Sequence, residues 1–153
     1  MVWVYGFENI TLIVWQAQPT ERAVERLHAV TEKRRKQFPH GISVIHLVKG
    51  NIALPEQATR DAFVRLMKVT DGVLACVAVV VGGTGFWASA ARSLVTGLRV
   101  LARGEFEMRL HGEIAEVVKW LPEKHAARTG VHVESSQLSQ ALHFVECASQ
   151  RAG

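Results

Sequence analysis

The feature that most constrains the fold is an uninterrupted apolar run at residues 73–81, rich in β-branched valine. Successive side chains of a strand point to opposite faces of a sheet, so a strand that is apolar at every position must be covered on both faces. The run is too short to cross a bilayer as a helix, which needs about 20 mostly apolar residues. It therefore predicts a central buried strand and no membrane span.

The segments around this run alternate between strand and helix patterns. β-rich runs predict further strands at residues 3–5, 10–15, 42–48 and 106–110, and apolar residues at helical spacing predict amphipathic helices after Pro19, Pro55, Gly85, Leu110 and Gly130. Strand–helix alternation favours parallel pairing with right-handed crossovers. We therefore predict an α/β fold: one domain with a mixed, mostly parallel sheet, an N-terminal β-hairpin and amphipathic helices.

Pro122 marks the expected end of the fourth helix, because proline lacks the backbone donor that a helix interior requires. We assign residues 1–121 to the α/β domain and residues 122–153 to a C-terminal helical extension of the same domain. A helix in this extension would cover a sheet edge or make a dimer contact. The 153 residues fit one domain.

Charge and cysteine content limit the partners and the compartment. The net charge of +4 is compatible with weak attraction to acidic molecules, but basic residues are not interleaved with aromatic residues, so we expect no nucleic-acid partner. Cys76 and Cys147 form no CxxC motif or disulfide framework, and the N-terminus lacks the positive region of a secretory signal. These features predict a cytoplasmic protein.

Catalytic and metal-binding patterns are missing from the sequence. The seven histidines form no HExxH motif or zinc-ligand spacing, and there is no G-x-S-x-G motif. We predict no metal, no cofactor and no enzymatic activity, with an active site assembled from distant residues as the alternative. His46, on a predicted strand, either faces a ligand or is a hydrogen-bonded core residue, and the second interpretation is favoured.

A glycine-rich turn is the sharpest candidate for a ligand site. Gly82, Gly83, Thr84 and Gly85 connect the buried strand to a helix, where free backbone N–H groups and the helix dipole favour an anion. Arg92, two turns into that helix, is the arginine best placed to reach the turn. The alternative is that the glycines only allow a tight turn and close packing.

Candidate interaction residues lie on the same helix and on the hairpin. Arg99 and Arg103 continue a basic stripe that would extend the anion site, bind an acidic partner or simply face solvent. Trp3 and Trp15 belong to the hairpin, and tryptophan is enriched at interface hot spots. Core packing is the alternative for both tryptophans.

The order of elements and two local patterns resemble the STAS-like domains, specifically the SpoIIAA-like group. One pattern is residues 106–110 followed by Glu113, Ala115 and Trp120-Leu121; the other is the buried strand followed by Phe86-Trp87. The resemblance covers roughly residues 2–121. It implies a compact α/β domain that works through protein contacts or a small ligand, often as a homodimer.

One branch of that family carries a phosphorylatable residue in a D-S-[ST]-G turn, and the corresponding residues 49–59 here lack this motif. The nearest hydroxyl, Thr59, fits an ordinary helical position. We therefore expect a non-catalytic regulatory or protein-interaction module that is homodimeric and lacks the phospho-switch. The alternative is a binder of a small anionic ligand or lipid head group at Gly82–Gly85.

Overall fold

Strands and helices alternate along the chain in the order that the sequence predicts. The structure is a computed structural model that describes residues 1–152. Its strands are β1 (Val2–Phe7), β2 (Ile10–Trp15), β3 (Ile42–Val48), β4 (Leu74–Val81) and β5 (Glu107–His111). Its helices are α1 (Glu21–Gln37), α2 (Gln57–Thr70), α3 (Phe86–Ala102), α4 (Ile114–Thr129) and α5 (Ser135–Arg151).

The strands form one five-stranded sheet in the order β1-β2-β3-β4-β5. β1 and β2 are antiparallel and are joined by a tight turn at Glu8 and Asn9, whereas β2, β3, β4 and β5 are parallel. This arrangement confirms the predicted mixed, mostly parallel sheet with an N-terminal hairpin. β4, the predicted central strand, is buried along its whole length.

Because each parallel strand lies next to its predecessor, every crossover steps across the sheet in the same direction. Right-handed crossovers of this kind place their helices on one face. α1, α2 and α3 accordingly pack side by side on the same face, where Leu27, Met67 and Leu98 contribute to one apolar core. The opposite face needs another cover.

α4 and α5 supply that cover and complete a helix–sheet–helix sandwich. Leu121 of α4 and Leu142 of α5 are fully buried in a second apolar core with Leu12 and Ile45. Residues after 121 therefore cover a face of the sheet. α5 packs against β2 and the edge strand β1, and the expected edge cover or dimer contact stays a prediction.

The predicted end of α4 near Pro122 is wrong. α4 continues through Pro122 to Thr129 and ends at Gly130, whose left-handed backbone (φ 74°) suits a helix terminus. Proline removes one backbone hydrogen bond from a helix. Pro122 and its neighbour Leu121 are both buried, and this packing against the sheet offsets the loss.

Other helix boundaries follow from local chemistry. The Thr20 side chain accepts a hydrogen bond from the Ala23 N–H and caps α1, and the cations Arg34 and Arg35 lie in the last turn, where the helix dipole favours them. Arg34 also donates to the carbonyls of Glu8 and Ile10, which joins the end of α1 to the hairpin. Among the described residues, no helix has the length and apolar character needed to cross a membrane.

Candidate functional site

β5 is an edge strand, and a groove runs along its free side. It pairs with β4 on one side only, so its outer row of backbone N–H and C=O groups has no strand partner among residues 1–152. The C-terminal end of α3 lies on one side of the groove and α4 lies on the other. The groove has a volume of about 550 Å³.

Positive charge dominates the lining of this groove. Its four cations are Arg99, Arg103, Arg109 and Lys124, and its one carboxylate is Glu107, whose Oε1 lies 3.7 Å from the Lys124 Nζ. All five side chains are exposed. The cations come from three elements, α3 with its C-cap, β5 and α4, so the fold concentrates charge that is dispersed in the sequence.

An aromatic side chain supports one wall of the groove. The half-buried ring of Trp120 packs beside the buried His111, with centroids 5.2 Å apart, and the Arg109 guanidinium carbon lies 5.9 Å from the Trp120 centroid. A guanidinium at this distance is attracted to the indole face. Burial is the main cause that lowers the pKa of His111, and the nearby Arg109 charge lowers it further. His111 therefore supports the wall from a buried position.

The predicted basic stripe of α3 is divided between two places. Arg99 and Arg103 lie in the β5 groove. Arg92 lies near the other end of the helix, where its Nη2 donates to the carbonyls of Val81 and Gly83 at 3.1 and 2.8 Å. A helix rises about 1.5 Å per residue, so Arg99 and Arg103 are too far away to extend a site at the glycine turn.

The glycine turn itself is exposed, from Gly82 to Gly85. Gly83 and Gly85 have positive φ values of 83° and 96°, a conformation that glycine adopts without strain. Among the residues that the structure describes, no side chain caps the start of α3. Arg92 stabilises the turn by its two bonds to backbone carbonyls, and the role of the turn as an anion site stays a prediction.

The two hairpin tryptophans lie in different environments. Trp15 is 3% exposed and belongs to the core on the α1–α3 face, so it is removed from any partner surface. Trp3 is half-buried and donates through Nε1 to the Gln16 side chain. It stacks beside Tyr5, which meets the exposed Phe144 of α5 edge-on.

Sequence reasoning missed Arg109, Trp120 and Lys124 as members of a site. The available signal is the alternation of apolar and polar side chains at residues 106–110, which is typical of an edge strand with one buried face. The sequence does not show that α4 lies beside the same strand edge, on the face opposite α3. This placement depends on the topology of the whole sheet.

A buried polar network lies under α4 and could be mistaken for a catalytic triad. Ser43 Oγ lies 2.6 Å from Nδ1 of His125, and Nε2 of His125 lies 2.7 Å from Oδ1 of Asn9. Asn9 in turn donates to the Gly41 carbonyl. These three side chains are at most 2% exposed, so no substrate reaches them. The network joins the hairpin turn, β3 and α4, and burial lowers the pKa of His125 to about 4.

A second pocket, which is partly open to solvent, lies between the sheet and α1–α3. It is an almost entirely apolar cavity of about 120 Å³ that reaches His46, Trp15 and Phe63. His46 accepts a hydrogen bond at Nδ1 from Trp15 Nε1, at 3.0 Å. The favoured prediction of a hydrogen-bonded core histidine therefore holds for Nδ1 of His46. Within residues 1–152 it does not hold for Nε2.

Neither a metal cluster nor a related protein adds to this description. Within residues 1–152, no three His, Cys, Asp or Glu side chains are grouped so that they could hold a metal ion. No family model, no curated protein and no solved structure matches the chain. The resemblance to STAS-like domains and the cytoplasmic location therefore stay predictions, and the chain's function must be argued from its own geometry.

Proposed function

We propose that the protein is a non-catalytic interaction module that binds an acidic, extended segment of another protein along β5. The observation that carries this proposal is the juxtaposition of an unpaired strand edge with four cations in one groove. Free edge groups bind an added strand through main-chain hydrogen bonds, and the flanking side chains select its sequence.

The positions of the cations indicate the kind of segment. Side chains of an added strand alternate between the two faces of the sheet. Carboxylates on one face would meet Arg99 and Arg103 near α3, and carboxylates on the other would meet Arg109 and Lys124 near α4. Arginine pairs with carboxylates through two parallel hydrogen bonds. The preferred segment therefore carries acidic residues on both of its faces.

The same charges disfavour a second copy of the chain at this edge. Pairing two β5 strands would bring both sets of cations together, and like charges across an interface are costly. A homodimer, which the resemblance implies, would use another surface. The opposite edge, β1, is flanked by the aromatic side chains Trp3, Tyr5 and Phe144 and lacks this concentration of cations.

The proposal is tested by fluorescence anisotropy with a labelled acidic peptide that alternates carboxylates and valines on both faces. We expect saturable binding that weakens as salt concentration rises, and no binding of the peptide in which every carboxylate is replaced by Lys. Combining Arg99→Glu with Arg103→Glu should weaken binding about tenfold or more, because two attractive charges become repulsive. N-methylation of alternate peptide amides should abolish binding by removing main-chain donors.

The matched control reverses two exposed arginines of α1, Arg22→Glu with Arg26→Glu, which changes net charge equally. Equal losses of peptide affinity in the two double variants would mean that binding depends only on overall charge. The groove would then be rejected as the binding site. Tighter binding of a single-stranded oligonucleotide than of the acidic peptide would assign the groove to nucleic acid instead. Light scattering on the same samples reports whether the chain is a dimer.

A further inference from the structure

The cavity between the sheet and α1–α3 has the size and lining of a small-ligand site. Its volume is about 120 Å³. Apolar cavities of roughly 150 Å³ bind molecules of the size of benzene. The walls are mostly aliphatic and aromatic, and within residues 1–152 no Lys, Arg, Asp or Glu lines them. A charged ligand would lose its hydration there without gaining a partner.

His46 supplies a ring nitrogen to the cavity, whose lining also includes the hydroxyl groups of Thr31 and Thr70. The Trp15 Nε1–H can only donate, so the His46 Nδ1 that receives it is unprotonated and, in the neutral ring, Nε2 carries the hydrogen. Burial lowers the pKa of His46 to about 4, which keeps the ring neutral near pH 7. Nε2 has no hydrogen-bond partner within residues 1–152, and it is accessible to solvent because His46 is only partly buried. It is a donor that a ligand in the cavity can reach.

The entrance lies at the carboxyl ends of β2 and β3, where ligands of open parallel sheets commonly bind. Pro19 of the β2–α1 connection and residues 52–55 of the β3–α2 connection line this end. Two side chains hold the second connection in place: Gln18 Nε2 donates to the Leu54 carbonyl, and Trp87 Nε1 donates to the Ile52 carbonyl. These two bonds hold the β3–α2 connection beside the open end of the cavity.

We propose that this cavity binds a neutral, compact, mostly apolar molecule with one hydrogen-bond acceptor, such as a carbonyl or ether oxygen, which receives the Nε2–H of His46. The site is distinct from the β5 groove and does not depend on the function proposed for that groove. The shape of the cavity limits the ligand to about the size of a single substituted ring.

The test compares acetophenone with α-methylstyrene, in which a CH2 group replaces the carbonyl oxygen, and with benzoate. Binding is measured by calorimetry and by the NMR signal of the Trp15 indole N–H. We expect acetophenone to bind and to shift this signal, and benzoate not to bind. In His46→Phe, the preference for acetophenone over α-methylstyrene should fall about fivefold, as expected for one hydrogen bond.

A variant that fills the cavity tests the proposal even if His46→Phe fails to fold. Val95 lines the cavity and is half-buried, so Val95→Phe should retain the fold and lose acetophenone binding. Its control is Val118→Phe, which adds the same bulk to a half-buried position on the opposite face and should bind normally. Unchanged binding in Val95→Phe, or NMR shifts confined to other parts of the protein, would overturn the proposal.

Discussion

The two faces of the sheet are built from alternate residues of the same strands, yet they are packed differently. On the α4–α5 face, Leu12 and Ile45 are at most 1% exposed. On the α1–α3 face, Val44 and Val79 are 7% and 5% exposed and border the cavity. Two histidines differ in the same way: His125 uses both ring nitrogens in hydrogen bonds, and His46 uses one. We call the closely packed α4–α5 face the sealed face, and the α1–α3 face contains the cavity.

This difference teaches how one small domain can combine rigidity with a ligand-sized cavity. The sealed face fixes the positions of the strands through close packing and a satisfied polar network. The strands can then border a cavity on their other face without losing their alignment. The β5 groove adds a third environment at the edge of the sheet, where backbone N–H and C=O groups are available for hydrogen bonds.

The largest expected effect comes from truncating a leucine on each face. Leu121→Ala on the sealed face should lower the free energy of unfolding by about 4 kcal/mol, because its close-packed surroundings leave a new cavity. Leu98→Ala, beside the existing cavity, should lower it by about 2 kcal/mol, since the side chain makes fewer contacts to lose. Urea unfolding measures both, and equal losses would contradict the difference between the faces.

Acidification should destabilise the protein by a somewhat smaller amount for each of two buried histidines. Burial lowers the pKa values of His46 and His125 to about 4 in the folded state, whereas histidine in an unfolded chain titrates near pH 6.5. The unfolded state therefore binds more protons between these values, and stability falls as pH drops through this window. Each histidine contributes at most about 3 kcal/mol.

Urea unfolding between pH 7 and pH 4 measures this dependence. His46→Phe should reduce its slope by about one proton, because His125 on the sealed face still titrates. A slope identical to that of the unsubstituted protein would show that His46 is already accessible to protonation.

The smallest expected effect comes from adding one methyl group to each face. Val79→Ile places it beside the cavity, so the free energy of unfolding should stay the same or rise by about 0.5 kcal/mol. Val14→Ile places it in the sealed face, where Val14 is fully buried, and should cost about 1–3 kcal/mol through overpacking. Thermal unfolding of the pair measures the difference, and stabilisation by both substitutions would mean that the sealed face also contains space.

The sequence predicts much of the architecture and little of the site. The apolar run of β4 and the helical spacing of the other segments depend on local pattern, which is why the mixed sheet and its hairpin could be predicted. Pro122 misled the prediction because its local preference is overcome by burial against the sheet. Asn9 and His125 meet across 116 positions, and no local pattern records that contact. A cavity depends on how side chains fill space in three dimensions, so no local sequence pattern predicts it.

The strand order has a consequence for synthesis on the ribosome. Each strand pairs with the one made before it, so the sheet and its α1–α3 cover can assemble in step with translation. The opposite face stays bare until α4 and α5 emerge, and it presents Ile10, Leu12, Val14, Ile45 and Leu47 to water. The most tightly sealed face of the finished protein is thus the one exposed longest on the nascent chain, where a chaperone would find its binding surface.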